Sequence, residues 1–201
     1  RPSTMPPHSK SSNQQPSSQF AAGVLPIAFH DETCLFLVGN DIRGIGASDM
    51  GGKHDRHLDR GSVTNTAARE FFEETLGVSI TAEEMKRRLT PRTSILLKGK
   101  TQNGNEYSMF IVEVFFSPSI SRDFANAVAF LTTKNIHRSY VEKTDLRWVT
   151  VDELFSCDKR SVFKKTLEAN EGMVRQIGNS TPRTWLELIK RVNSSSRSTP
   201  Q

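Results

Sequence analysis

The sequence predicts a single α/β domain, and three observations carry that expectation. Short apolar, β-compatible runs alternate with stretches of helical periodicity, no segment repeats, and 201 residues suit one core with irregular ends. Residues 1–19 and 193–201 have the polar composition of disordered tails, which leaves 20–192 as the domain. The first tail has no apolar stretch like that of a signal peptide. Met5 reads as the natural start, with Arg1–Thr4 as an expression remnant.

The elements follow in order. Residues 21–29 and 34–39 read as strands joined through His30-Asp31-Glu32-Thr33 as a hairpin. A glycine-punctuated loop covers 41–49, and Met50-Gly51-Gly52 leads out of it. Residues 64–76 read as a helix, because Ala67 with Phe71 and Ala68 with Phe72 make apolar pairs four apart, and Gly77 ends it. Val78-Ser79-Ile80 is a short extended exit. Thr81-Ala82-Glu83-Glu84 matches a capping box, opening a short helix to about Leu89. Residues 93–100 and 106–116 are β-rich around the turn signal Asn103-Gly104. A helix is expected over 121–134, a core strand over 146–151, and a helix start at Asp152. Thr181 and Pro182 open a last helix whose Trp185, Leu188, Ile189 and Val192 share one face.

Composition narrows the function only slightly. No apolar run reaches the roughly 18–20 residues that a membrane-crossing helix needs, so no membrane partner is expected. Cytoplasm is the default compartment. Cys34 and Cys157 fit no metal-ligand spacing, and Cys34 in its apolar run reads as a buried thiol. The charge of +5 is scattered rather than gathered into a basic block, so no DNA partner is expected; a polyphosphate or an RNA remains compatible with it. Oligomeric state is not legible.

The informative stretch is Gly51-Gly52-Lys53 followed by Arg69-Glu70-Phe71-Phe72-Glu73-Glu74-Thr75-Leu76-Gly77-Val78. On a helix, Glu70, Glu73 and Glu74 stand at i, i+3 and i+4, so three carboxylates crowd one face. Their repulsion becomes binding when a hard divalent cation arrives, since Mg²⁺ and Mn²⁺ favour carboxylate oxygens. Arg69 can hold a carboxylate in a fixed orientation. Gly51 and Gly52 let the backbone come close, so that a carbonyl could join the ligands. A Glu-Glu pair beside an arginine occurs on many solvated helices; the whole string is much rarer.

That string resembles the Nudix box of the Nudix hydrolases, Gly-x5-Glu-x7-Arg-Glu-apolar-x-Glu-Glu-x-Gly-apolar. The segments 23–27, 35–39, 142–149 and 152–154 resemble the family's opening strands, closing strand and following helix. The box here is stretched. Sixteen residues, 53–68, separate Gly52 from Arg69, three more than the pattern, and the extra Leu76 lengthens the helix by one residue. No Glu stands between Gly52 and Glu70; in the family the box's first Glu braces the arginine, and the resemblance offers Asp59 first and Asp55 second as candidates for that place.

The resemblance implies an α/β/α sandwich around a mixed sheet, and a Mg²⁺- or Mn²⁺-dependent pyrophosphohydrolase. Gly52, Glu70, Glu73, Glu74 and Glu142 would hold the metal, with Glu74 the first choice. Arg69 would orient the carboxylates, and either a box Glu or Glu142 would be the general base, Glu106 and Glu113 being weaker candidates. Lys53 and Arg43 could meet phosphate, Tyr107, Phe110 and Tyr140 could stack on a base, and His54, His57 and His137 are expected to be merely exposed. Relatives act on nucleotide sugars, dinucleoside polyphosphates, oxidised nucleoside triphosphates, diphosphoinositol polyphosphates and the mRNA cap, so the expected partner is a phosphorylated small molecule or capped RNA. The alternative implied is an inactive module of the same fold that binds nucleotide or RNA.

Overall fold

The computed structural model describes residues 20–42, 46–135 and 141–195. Its elements are β1 (Ala21–His30), β2 (Thr33–Asp41), β3 (Ala47–Ser48), β4 (Met50–Lys53), α1 (Arg56–Asp59), α2 (Val63–Thr75), α3 (Ala82–Arg88), β5 (Ser94–Lys100), β6 (Glu106–Glu113), α4 (Ile120–Thr133), β7 (Lys143–Val149), α5 (Val151–Ser156), α6 (Ser161–Ala169), α7 (Glu171–Gly178) and α8 (Pro182–Ser195). Arg43, His137 and Tyr140, and the tails 1–19 and 196–201, lie outside the described residues.

β1 organises a mixed sheet. It runs parallel to β6, with Ala21 opposite Tyr107 and Ile27 opposite Glu113, and β5 lies antiparallel beyond β6. On its other side β1 changes partner. Residues 21–24 pair with β4, whereas 27–30 pair with β2, which carries β7 and β3 in turn. Pro26, which has no N–H to give, falls in the gap between those two partners. The sheet therefore forks, and β4 is left as a short arm against α2.

Alternation along the strands separates two cores, as a sheet buried on both faces requires. Leu25, Ile27, Phe36, Val38, Met109 and Ile111 pack with Leu154, Phe163, Leu167, Ile177, Trp185 and Leu188 from α5 to α8. Ala22, Val24, Leu37, Phe110 and Val112 face Ala67, Phe71, Met85 and Phe124 from α2, α3 and α4. The architecture is an α/β/α sandwich. Burying Phe71 completely contributes about 2–3 kcal/mol and clamps α2 to the sheet.

Local signals are kept in most places. Asp31 and Glu32 both take positive φ, as a two-residue hairpin turn demands. Thr81 caps α3 by accepting from the Glu84 N–H, but Glu84 turns to Arg88 and Arg87 instead of closing the box. The reciprocal box is at α5, between Thr150 and Glu153.

Three expectations need correction. Leu76 does not lengthen α2; it takes a left-handed φ of 52° as the cap, and Gly77 follows at 69°. The last strand begins at Lys143, not Leu146, because the chain pairs with β2 as far as Asp41 across a bulge. Two helices, α6 and α7, fill a stretch to which no element was assigned. Cys34 is buried and free, as expected, and burial pushes its thiol up to about 12. No helix among the described residues is long and apolar enough to cross a membrane.

Candidate functional site

The site forms where α2 crosses β4. Ser62 caps α2 by accepting from the Asn65 N–H, worth about 1 kcal/mol, and the short α1 ahead of it is capped by Asp55. The long loop of the stretched box is therefore partly helical, and its last helical residue, Asp59, is turned inward.

Asp59 grips Arg69. Nε donates to Oδ1 at 2.9 Å and Nη2 to Oδ2 at 3.0 Å, the fork geometry that an arginine matches to a carboxylate. Asp59 also accepts from the Asp55 N–H and the Thr66 hydroxyl, each at 2.8 Å. Burial opposes its ionisation, yet these donors together hold its carboxyl below the usual range. Asp59 thus makes the contact expected of the absent first Glu, while Asp55 is engaged as a helix cap.

The same guanidinium reaches three further groups. Nη1 donates to Glu73 Oε2 at 2.8 Å, and Nη2 lies 2.9 Å from Glu70 Oε1 and 3.0 Å from the Lys53 carbonyl. Its hydrogen bond to Asp59 is the largest cause of a raised pKa, so Arg69 is permanently charged. Lys53 contributes its carbonyl here while its side chain is exposed.

The three carboxylates do not share one environment, as the helical spacing had suggested. The Glu73 side chain is 51% exposed, whereas Glu70 and Glu74 are buried. Glu70 lies against Gly52 so closely that an added Cβ there would come within 2.4 Å of its carboxylate. Burial pushes Glu70 up to about 7, opposed by Arg69 and reinforced by the charges of Glu73 and Glu142. Glu142 is exposed beside β7, and its charge reaches Glu70 from the solvent side.

Glu74 points inward. Its Oε2 accepts from the Gly51 N–H at 2.7 Å, and its Oε1 lies 3.3 Å from the ammonium of Lys143. Burial pushes it up to about 8, against the pull of Lys143 and with the charges of Asp49, Asp41 and Glu70 adding to the rise. Lys143 also bonds Asp41, Ser48 and the Asp49 carbonyl, while Arg160 bonds the other oxygen of Asp41 at 2.8 Å. Sequence reasoning missed Lys143, Asp41, Asp49 and Arg160. A lysine between Glu142 and Thr144 carries no local mark of burial, and its strand was expected to start later.

Beyond Gly51 and Gly52 opens a cleft of about 520 Å³ lined by Asp49, Lys53, His54, Arg56, Asn103 and Arg160 among others. His54 is not merely exposed: it stacks on Phe20 at 4.4 Å and accepts from the Gly61 N–H. His57 is exposed on α1. Tyr107 touches the cleft, but its ring belongs to the core and its hydroxyl donates to Asp49, so it is not free to stack on a base. Phe110 is core as well. Glu106 is exposed at the start of β6, and Glu113 lies at the far end of that strand, away from α2.

Among the described residues no three acidic, His or Cys side chains stand as a ready-made metal cluster, because Arg69 and Lys143 each draw carboxylates to themselves. The donor set nevertheless fits a hard divalent ion. It is all oxygen, and the Glu70 carboxylate lies directly against the Gly52 backbone, a close approach that only glycine permits.

No family model matches the chain, and no curated protein matches it. Among solved structures it is similar to a Nudix hydrolase from M. smegmatis, RenU, at 17% identity and a TM-score of 0.47, over 79% of this chain and 87% of that one. It is similar to a C. elegans Ap4A hydrolase at 15% identity and a TM-score of 0.45, over 78% of this chain and 98% of that one. It is also similar to the NUDIX domain of Shewanella oneidensis NrtR, complexed with ADP ribose, at 11% identity and a TM-score of 0.45, over 78% and 87%.

Proposed function

We propose that the protein is a Nudix-type hydrolase, dependent on Mg²⁺ or Mn²⁺, that cleaves the phosphoric anhydride of a nucleoside diphosphate derivative. The observation that carries this reading is the Arg69 clamp. Asp59 fixes one edge of the guanidinium, and its remaining donors hold Glu70 and Glu73 beside the Gly52 backbone. A solvated helix with a chance acidic pattern has no use for a buried aspartate bracing its arginine.

When bound, a divalent ion would neutralise phosphate charge and make its water more acidic. Glu70, Glu73 and Glu142, with the Gly52 carbonyl, are the groups proposed to hold it on the outer side; Glu74 borders it from within. The protein's own work is positional and electrostatic. Lys53 on the rim and Arg56 and Arg160 in the cleft offer cationic contacts for phosphate oxygens. Glu142, solvent-facing and near Glu70, is proposed to take the proton of the attacking water. A bond forms from water oxygen to phosphorus, and the bridging P–O bond breaks with its electron pair leaving on the departing phosphate. The cleft beside Gly51 is proposed to take the nucleoside end, and among relatives' substrates a highly anionic one, capped RNA included, suits its basic residues.

The test is hydrolysis of a panel of nucleotide sugars, dinucleoside polyphosphates and capped RNA with Mg²⁺, Mn²⁺ or EDTA. Turnover is expected only with metal, and Glu73→Gln should reduce it about 100-fold or more. Turnover in EDTA, or an unimpaired Glu73→Gln, would sink the reading. Binding without turnover would favour the inactive module.

A further inference from the structure

We propose that Lys143 is a resident cation that takes the place of one divalent ion on the inner side of the carboxylate helix, confining metal to the outer carboxylates Glu70 and Glu73. This rests on the metal-dependent reading above and adds how many ions the site takes.

The hydrogen-bond count makes the case. An ammonium has three N–H donors. Those of Lys143 are matched by Asp41 Oδ1 at 2.6 Å, Ser48 Oγ at 2.5 Å and the Asp49 carbonyl at 3.1 Å. None is left for Glu74. Its Oε1, 3.3 Å away, receives the positive charge without a hydrogen bond, and for that reason it is a buried side-chain oxygen lacking a hydrogen-bond partner. That oxygen already faces a fixed positive charge, which occupies the position a metal ion would otherwise take.

The ammonium is also fixed. The Lys143 side chain is fully buried, and Asp41, the nearer of its two carboxylate partners, is held from the other side by Arg160. The lysine therefore has no solvent-facing position to which it could withdraw. A dication seated on Glu74 Oε1 would stand beside a charge that cannot leave, and like charges at that distance repel strongly in a buried setting. The outer side differs. Glu73 is half exposed, Glu70 faces the Gly52 backbone, and Arg69, their cationic neighbour, takes one oxygen of each, Glu73 Oε2 and Glu70 Oε1. Metal can enter there on the remaining oxygens, with Arg69 still held by Asp59 and the Lys53 carbonyl.

The test is Mn²⁺ titration of the full chain, followed by electron paramagnetic resonance of free Mn²⁺, for wild type, Lys143→Met and Lys143→Arg. Lys143→Met should bind one more ion per chain than wild type, or bind Mn²⁺ about 10-fold or more tightly, and Lys143→Arg should keep the wild-type count. Unchanged number and affinity in Lys143→Met, with wild type binding Mn²⁺, would overturn the role of Lys143 and leave the metal-dependent reading standing. No Mn²⁺ bound by either protein would overturn both. Should Lys143→Met not fold, Glu74→Gln decides: a retained wild-type count supports the proposal, and loss of the bound ion overturns it.

Discussion

Two sides of the last turns of α2 carry the same kind of residue and solve the same problem differently. On the outer side, Asp59, Arg69 and Glu73 form a clamp among residues ten and four apart in the chain, with Glu73 still open to solvent. On the inner side, Glu74 is closed in, and its counter-charge comes from Lys143, which is anchored on Asp41, 102 residues away in the chain. An exposed carboxylate can wait for a mobile ion because water screens it meanwhile. A buried one needs its cation supplied by the fold, since an unpaired charge in the interior costs several kcal/mol. One helix thus presents an open carboxylate on one side and a sealed one on the other.

Three perturbations break or sharpen that contrast, beyond the tests given above. The largest effect is expected from Asp59→Asn, which removes the charged half of the outer clamp. Turnover should fall about 10- to 100-fold, and stability by about 3 kcal/mol, because Arg69 loses a buried partner. Asp55→Asn is the control, since asparagine caps a helix as well as aspartate, and should leave both unchanged. Equal damage from the two variants, in a steady-state assay and a denaturant titration, would mean that α1 and not the clamp is what matters.

A middle effect is expected from Gly52→Ala. The new Cβ would meet the Glu70 carboxylate while leaving Glu74 on its own partners. Metal affinity and kcat should fall with little change in melting temperature. Melting that collapses along with activity would place Gly52 in the structural half of the site.

The smallest effect is a pH dependence of the metal-free protein. Glu70 and Glu74 are raised from 4.5 to about 7 and about 8. A group raised in the folded state stabilises it fully below the unfolded pKa, and that contribution is lost as pH rises through the folded value. Melting temperature in EDTA should therefore decline from pH 6 to pH 9, and Mn²⁺ should restore part of it at the high end by neutralising the outer carboxylates. A melting temperature that climbs over that range would contradict the unfavourable burial of both groups.

What could be read in advance follows from how local each feature is. The hairpin at Asp31-Glu32, the capped helix from Thr181 and the strand alternation of β1 and β2 depend on neighbours a few residues apart, and they appear where expected. The expected start of β7 missed because pairing across a bulge with Asp41, and no propensity of Lys143 or Thr144, extends that strand. The end of α2 was misread because Leu76 adopts the left-handed cap that glycine usually supplies.

By itself the sequence determined that Arg69, Glu70, Glu73 and Glu74 share one region of a helix, because the helical repeat allows no other arrangement of that spacing. Through the family resemblance it also offered two aspartates, Asp59 and Asp55, as candidates to brace Arg69. The tertiary structure decided between them, since only Asp59 is turned under the helix, and it decided which carboxylate is open and which is sealed. Depth is set by the side of α2 that meets the forked sheet, and the charge that permits Glu74 to be buried arrives on a strand from the other half of the chain. Those are properties of packing, which no spacing along the chain encodes.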